Sequence, residues 1–328
     1  MTVRERFLAV LNNEKPDRIP VIEWASWWSQ TRARWNSEGL DPSLDRYDLY
    51  DYFGLDKHVQ VSLKHSAADC PRPASTGAGI MKDEADYDRL LPLFYPKDAV
   101  SSEAENLKAY AKLHEKGDIA VWMTLPGAFW FPRTLFGIEE HLYSFYDHPE
   151  LYHRILGDLA NFHIAVIEEF CGYLTPDFMS FAEDMSYNLG PMLSEEHFYE
   201  FLAPYYRKVI PVLKSHGIKV IVDTDGDVTS MISWLIDVGI EGILPLERQA
   251  GVDVNQIKKD FPGFLQIGAF DKTIMHNGEE AMRKEFERVL PAIKMGGYIP
   301  AVDHQTPPDV SLETYKLYVK LLKEYCSK

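Results

Sequence analysis

Short runs of β-branched and aromatic residues alternate eight times with longer amphipathic stretches, and this alternation constrains the fold more than any other feature of the chain. The runs are Ile19–Trp24, His58–Leu63, Ile119–Thr124, Phe178–Asp184, Lys219–Asp225, Gly242–Glu247, Phe264–Phe270 and Gly297–Asp303. They are largely apolar on both faces, as strands covered on both sides must be. The intervening patterns are helical. Ser194-Glu195-Glu196 opens a helix with Phe198, Phe201, Leu202, Tyr205, Val209, Val212 and Leu213 on one side, and Gly217 stops it. Similar patterns cover 227–238, 253–260 and 278–294, and Ser311 caps a last helix reaching about residue 325. Such alternation predicts an α/β fold, a (β/α)8 TIM barrel forming a single domain over residues 1–328. The gaps 64–118 and 125–177, after the second and third strands, must hold extra helices or loops. A doubly wound open sheet is the alternative, but no Gly-x-Gly-x-x-Gly follows the first strand to support a dinucleotide site.

Charge narrows the partners. With 34 Lys and Arg against 50 Asp and Glu, a net −16, the chain lacks the basic balance of a nucleic-acid binder. Cys70, Cys171 and Cys326 have spacings of neither a disulfide framework nor a metal clip, which fits a reducing, cytoplasmic setting. The amino-terminal stretch is amphipathic, with Val3, Phe7, Leu8 and Leu11 at helical spacing, and no 18 uncharged apolar residues run consecutively. Secretion and membrane insertion are therefore not expected.

Barrel enzymes place their chemistry at the carboxyl ends of the strands. Those ends carry Glu23, Thr124, Glu183 with Asp184, Asp223 with Asp225, Glu247, Asp271, and Asp303 with His304. Asp227, Asp271 and Asp303 also suit helix caps. Asp223 and Asp225 alternate in Val222-Asp223-Thr224-Asp225-Gly226, so both would project to one face. Like charges so close call for a divalent cation, a shared proton or a basic ligand, unless the Asp-Gly pair is only a solvated turn. His304 precedes a Pro-Pro stop at the last strand's end and suits a ligand or proton carrier. Trp24, Arg32 and Arg34, and later Trp130 and Arg133, interleave rings with guanidinium groups. That combination suits a flat, partly anionic small-molecule substrate.

The segments RERFLAVLNNEKPDRIPV, Phe181–Pro191 followed by SEEHFYEFLAPYYRKVIPVLKSHG, VIVDTDGDVTSMISWLIDVGIEGILPLERQAGVDV, FLQIGAFDKTI and MGGYIPAVDHQTPPDVSLETYKLY resemble the uroporphyrinogen decarboxylase superfamily. The resemblance spans nearly the whole chain and implies the same barrel. It also implies one of two chemistries: cofactor-free decarboxylation of porphyrinogen acetates, or zinc-assisted methyl transfer involving a thiol or a corrinoid. The decarboxylases carry Arg-Gln-Ala-Gly-Arg after the first strand, whereas this chain reads EWASWWSQTRARW, leaving Arg32 and Arg34 for any related part.

The methyltransferases bind zinc through His-x-Cys after the fifth strand and Cys after the eighth. The corresponding residues are Asp223, Asp225 and His304, an oxygen–oxygen–nitrogen set suited to activating an oxygen leaving group. The resemblance thus implies the demethylase component of a corrinoid-linked methyltransferase. Its catalytic residues would be Glu183, Asp225 and Glu247. Glu23, Trp24, Arg32, Trp130 and Arg133 would hold a methylated small molecule such as a methoxylated aromatic, and the methyl acceptor would be a corrinoid on a separate protein. A homodimer is compatible with this reading. A decarboxylase needing neither metal nor partner is the alternative, and a barrel that only binds ligand is a third reading, opposed by the density of acids at one mouth.

Overall fold

Seven of the eight apolar runs form strands of one parallel sheet in the computed structural model, which describes residues 1–328. In chain order the strands are β1 (His58–Ser62), β2 (Ala120–Pro126), β3 (Phe178–Ala182), the short pair β4 (Ser186–Tyr187) and β5 (Gly190–Pro191), then β6 (Lys219–Asp223), β7 (Gly242–Leu244), β8 (Leu265–Phe270) and β9 (Tyr298–Val302). The large sheet runs β1-β2-β3-β6-β7-β8-β9, all parallel, with β4 and β5 set apart as an antiparallel hairpin. Helices fill the connections, giving the TIM-like βα order expected from the alternation.

The first of the expected strands is a correction. Ile19–Trp24 joins no ladder, so the ring of strands is not fully closed. The physical reason lies in where its backbone groups go. Pro20 has no N–H to give. The Val21 N–H donates to the Asp56 carboxylate at 2.8 Å, and the Val21 carbonyl accepts from the Asp56 N–H at 2.8 Å. The Ile19 N–H donates to the Cys326 carbonyl at 2.9 Å, while the Trp24 indole donates to the Val302 carbonyl of β9 at 2.6 Å. The segment thus lies between the edge strands through side-chain contacts and single backbone bonds.

The long gaps hold the helices expected there: Glu84–Leu90 and Ala104–Lys116 before β2, then Trp130–Phe136, Ile138–Asp147 and Pro149–Cys171 before β3. The helix expected after Ser194 is present but passes through a π-helical turn at Phe198–Leu202 before continuing as Ala203–Ser215.

Alternation decides which strand side chains face the helices. Phe181 packs against Tyr205 and Tyr206 of the Ala203–Ser215 helix, so Phe178, Ser180 and Ala182 face the interior. At the amino ends of the strands, Phe7 of the helix Val3–Leu11 stacks on Phe178 and lies beside His58, closing the floor. Toward the carboxyl ends the interior opens. Gln60, Thr124, Ala182 and Asp223 are partly exposed and Ser62 is exposed, which leaves a solvent-reached cup above a packed floor.

Candidate active site

Four acids and one histidine surround this mouth. Asp223 ends β6, Asp225 follows on the loop, Asp184 follows β3, Glu247 follows β7 and His304 follows β9. His304 Nε2 lies 3.8 Å from Asp225 Oδ2, and both side chains are about one-third exposed, at 31% and 37%. The Trp24 ring meets His304 edge-on with centroids 6.3 Å apart. Glu247 accepts the Gly226 N–H at 3.0 Å, which ties the loop after β6 to the end of β7.

Crowding of like charge sets the protonation of this group. Burial and then the Asp184 and Asp225 carboxylates push Asp223 well above the usual carboxylate range. Burial, then Asp184 and Glu247, push Asp225 up to about 7. Asp184 is also raised, chiefly by burial and against the pull of Arg133, and burial lowers His304. At neutral pH the mouth therefore holds carboxyl groups that carry a proton beside groups that can take one. That pairing suits general acid–base chemistry. Asp184 sits in the left-handed region, at φ 43, so its backbone is strained at the edge of the site.

The remaining candidates fall into different places. Trp130 and Arg133 share one helix turn, with the guanidinium 5.1 Å from the Trp130 ring centre, and Arg133 donates to the Asp184 carbonyl at 3.1 Å. These two stand at the mouth. Arg32 does not: it donates to the Leu44 carbonyl at 2.8 Å, and Arg34 is held by Glu38 and the Pro308 carbonyl. Trp35 is core, with its indole bonded to the Val310 carbonyl.

Glu23 is 1% exposed and bonded to the Tyr315 hydroxyl at 3.0 Å, with Oε1 unpartnered, and burial raises it to about 8. It stands behind the mouth rather than in it.

Glu183 also takes a different role from the catalytic one expected. It is fully buried and accepts backbone N–H groups from Ala128 at 2.8 Å, Phe129 at 2.7 Å and Trp130 at 3.2 Å, together with the Tyr206 hydroxyl. Burial raises it to about 7, opposed by these bonds. Glu183 is therefore a positioning residue that fixes the turn carrying Trp130 and Arg133.

Asp303, considered as a helix cap, instead pairs with Lys272 at 3.1 Å and accepts the Arg248 N–H at 3.2 Å, bracing the loops after β7 and β8. Asp227 and Asp271 do cap the turns that follow them. Sequence reasoning gave Lys272 no role, although it directly follows Asp271 at a strand end, where the strand-end rule could have found it.

The zinc expectation meets a geometric difficulty. No three His, Cys, Asp or Glu side chains are drawn together as a ligand group, and His304 meets Asp225 only at the 3.8 Å described above. The residues as arranged do not form the cage of three protein donors that such a metal uses.

The structure is similar to several solved structures. These include a B12-independent methionine synthase from Shewanella sp. W3-18-1 (15% identity, 68% of this chain and 65% of that one, TM-score 0.42). The putative vitamin-B12 independent methionine synthase of Listeria monocytogenes matches over 95% of this chain and 98% of its own at 10% identity, with a TM-score of 0.47. The β-glycosidase of Thermosphaera aggregans matches at 11% identity over 84% and 83%, with a TM-score of 0.46. The chain thus spans about two-thirds of the Shewanella protein's length, 65%. No curated protein matches. No helix is long and apolar enough to cross a membrane. The family model for uroporphyrinogen decarboxylase (URO-D) matches residues 80–325, most of the sequence, and by that match the chain belongs to the uroporphyrinogen decarboxylase family.

Proposed function

We propose that this member of the family is a methyltransferase that removes the methyl group of a methylated small molecule, such as a methoxylated aromatic, and passes it to a corrinoid carried by a separate protein. The observation that carries the reading is Asp225: partly exposed at the mouth, raised to about 7, with His304 Nε2 at 3.8 Å. A methyl ether resists cleavage because its oxygen leaves as an anion. A carboxyl group that still holds its proton near neutral pH offsets that by protonating the oxygen as the carbon–oxygen bond breaks. The bond's electron pair stays on oxygen, which takes the Asp225 proton and leaves as a phenol. The reduced corrinoid supplies the electron pair that accepts the methyl group. His304 is placed to return a proton to Asp225, and Trp24 and Trp130 offer faces for the ring.

Decarboxylation of a porphyrinogen has less support. A polycarboxylate needs several cations, yet Arg32 and Arg34 are engaged elsewhere and Lys272 is paired with Asp303. Arg133 would face such a ligand among four carboxylates.

The test is anaerobic incubation of the chain with reduced cobalamin and a panel of methoxylated aromatics, following the cobalamin spectrum and the released phenol. Phenol release with transfer of the methyl group to cobalamin, lost in Asp225→Asn, is the expected result. Carbon dioxide release from a carboxylated substrate without methyl transfer would overturn it.

A further inference from the structure

Deeper in the cup than the acids, the inner faces of β1, β2 and β3 carry a chain of uncharged polar groups. The Trp122 indole donates to Ser180 Oγ at 2.8 Å, the Ser180 and Thr124 hydroxyl oxygens are 3.2 Å apart, and Gln60 Nε2 donates to Thr124 Oγ1 at 2.9 Å. The direction of these bonds can be worked out from donor capacity. An indole N–H only donates, so Ser180 Oγ accepts there. Ser180 is fully buried and Thr124 is its one other partner, so its proton must go to Thr124. Turning it elsewhere would strand a buried donor. Thr124 Oγ1 then accepts from both Ser180 and Gln60, which uses both of its lone pairs.

The Thr124 O–H is left without an acceptor in the protein, and Gln60 Oε1 makes no hydrogen bond within the chain. Both residues are partly exposed on the interior face. A donor and an acceptor thus sit side by side on the wall of the cup, held in place from behind by Ser180 and Trp122.

The ladder register fixes where this pair lies relative to the acids. Thr124 pairs with Ser180, Pro126 with Ala182, and Ala182 with Asp223. Thr124 is therefore two strands from Asp223 and two residues deeper, about 10 Å across the sheet and about 7 Å along it. The small side chain of Ala182 stands between them. Inward-pointing side chains on a concave sheet close part of that gap, so a single ring with substituents at opposite ends spans it.

We propose that Thr124 and Gln60 form a subsite for a hydroxyl group on the substrate ring, with the Thr124 O–H donating to its oxygen and Gln60 Oε1 accepting its proton. This deepens the methyl-transfer reading and rests on it for the kind of ligand: a methoxylated ring that also bears a hydroxyl. Binding at the subsite needs no methyl acceptor, so it can be measured apart from turnover.

The experiment is calorimetric titration of the chain with 4-methoxyphenol and with methoxybenzene, in the absence of any corrinoid. The wild-type chain is expected to bind 4-methoxyphenol about five- to tenfold more tightly, the value of one or two neutral hydrogen bonds. Thr124→Val should erase that preference and Thr124→Ser should keep it, with thermal unfolding confirming that each is folded. Gln60→Leu provides a second route to the same loss. Equal binding of the two probes by the wild-type chain, a preference that survives in Thr124→Val, or binding of neither probe would overturn the assignment. None of these results depends on whether methyl transfer occurs.

Discussion

Gly127 lies against the carboxyl group of Glu183 so closely that a Cβ at residue 127 would stand 1.9 Å from the carboxyl carbon. The approach lets one buried carboxylate reach three successive N–H groups, those of Ala128, Phe129 and Trp130. Gly127→Ala must push that carboxylate off its donors. We expect a loss of about 3 kcal/mol in stability, read by chemical denaturation, because the clash meets a buried group that cannot swing away. Any activity should fall along with the placement of Trp130 and Arg133. A Gly127→Ala variant as stable as the parent would show that the turn tolerates another anchor.

Lys272 and Asp303 make the next prediction. Asp303 is fully buried and raised to about 6, chiefly by burial, with Lys272 as its cationic partner. Lys272→Met leaves that charge unpaired and should cost about 3–5 kcal/mol at pH 8. The cost should shrink at pH 5, where Asp303 takes up a proton. Denaturation midpoints at the two pH values check this.

Activity should depend on pH through Asp225. As the proton donor it is active in its protonated form, so turnover should be level below about 7 and fall above it. Glu247→Gln removes a neighbouring charge that raises Asp225 and should move the fall to lower pH. A profile that rises through 7 would assign Asp225 the role of a base.

Glu23 carries a stability prediction of the same sign as the other raised carboxyls. Its folded-state value is about 8, against an unfolded value near 4.3, so between those limits the folded chain holds a proton that the unfolded chain has released. The stabilising contribution is complete below about 4 and is lost as pH rises toward 8. The melting temperature should therefore decline from pH 5 to 8, and Glu23→Gln should make the decline shallower. An unchanged slope would place the titration elsewhere.

For zinc, the lack of a three-donor group predicts well under one ion per chain after purification without chelator. Elemental mass spectrometry decides it. One zinc per chain, absent from His304→Ala, would show that Asp223, Asp225 and His304 close on a metal in solution.

Much of this architecture was legible because hydrophobic period is a local property. The runs at His58, Ile119, Phe178, Lys219, Gly242, Phe264 and Gly297 became strands within a residue or three of their expected ends. Ile19–Trp24 has the same apolar character, but whether a run joins a ladder depends on what its neighbours offer. Here the Asp56 carboxylate takes the bond that a strand would have made. The mouth was legible in outline from the strand-end rule, which reached Asp223, Asp225, Glu247 and His304. It did not show how Glu183 is held, because the donors that claim that carboxylate lie more than fifty residues earlier, in a segment whose sequence gives no sign of them. The Gln60, Thr124 and Ser180 chain was likewise hidden, since it depends on the register between three strands.

The joint at Ile19–Trp24 has its own consequence. A ring of strands locked by ladders all round has a fixed circumference, since widening it anywhere breaks a row of backbone bonds at once. Here the two edge strands meet across a spacer that has no ladder to either and includes the Asp56 carboxylate and the Trp24 indole among its bonds. Trp24 is both the clasp on β9 and the ring facing His304, so a ligand that presses on it loads the joint directly. The aperture of the cup is thus adjustable at one point on its rim, by exchanging a side chain rather than rebuilding a sheet.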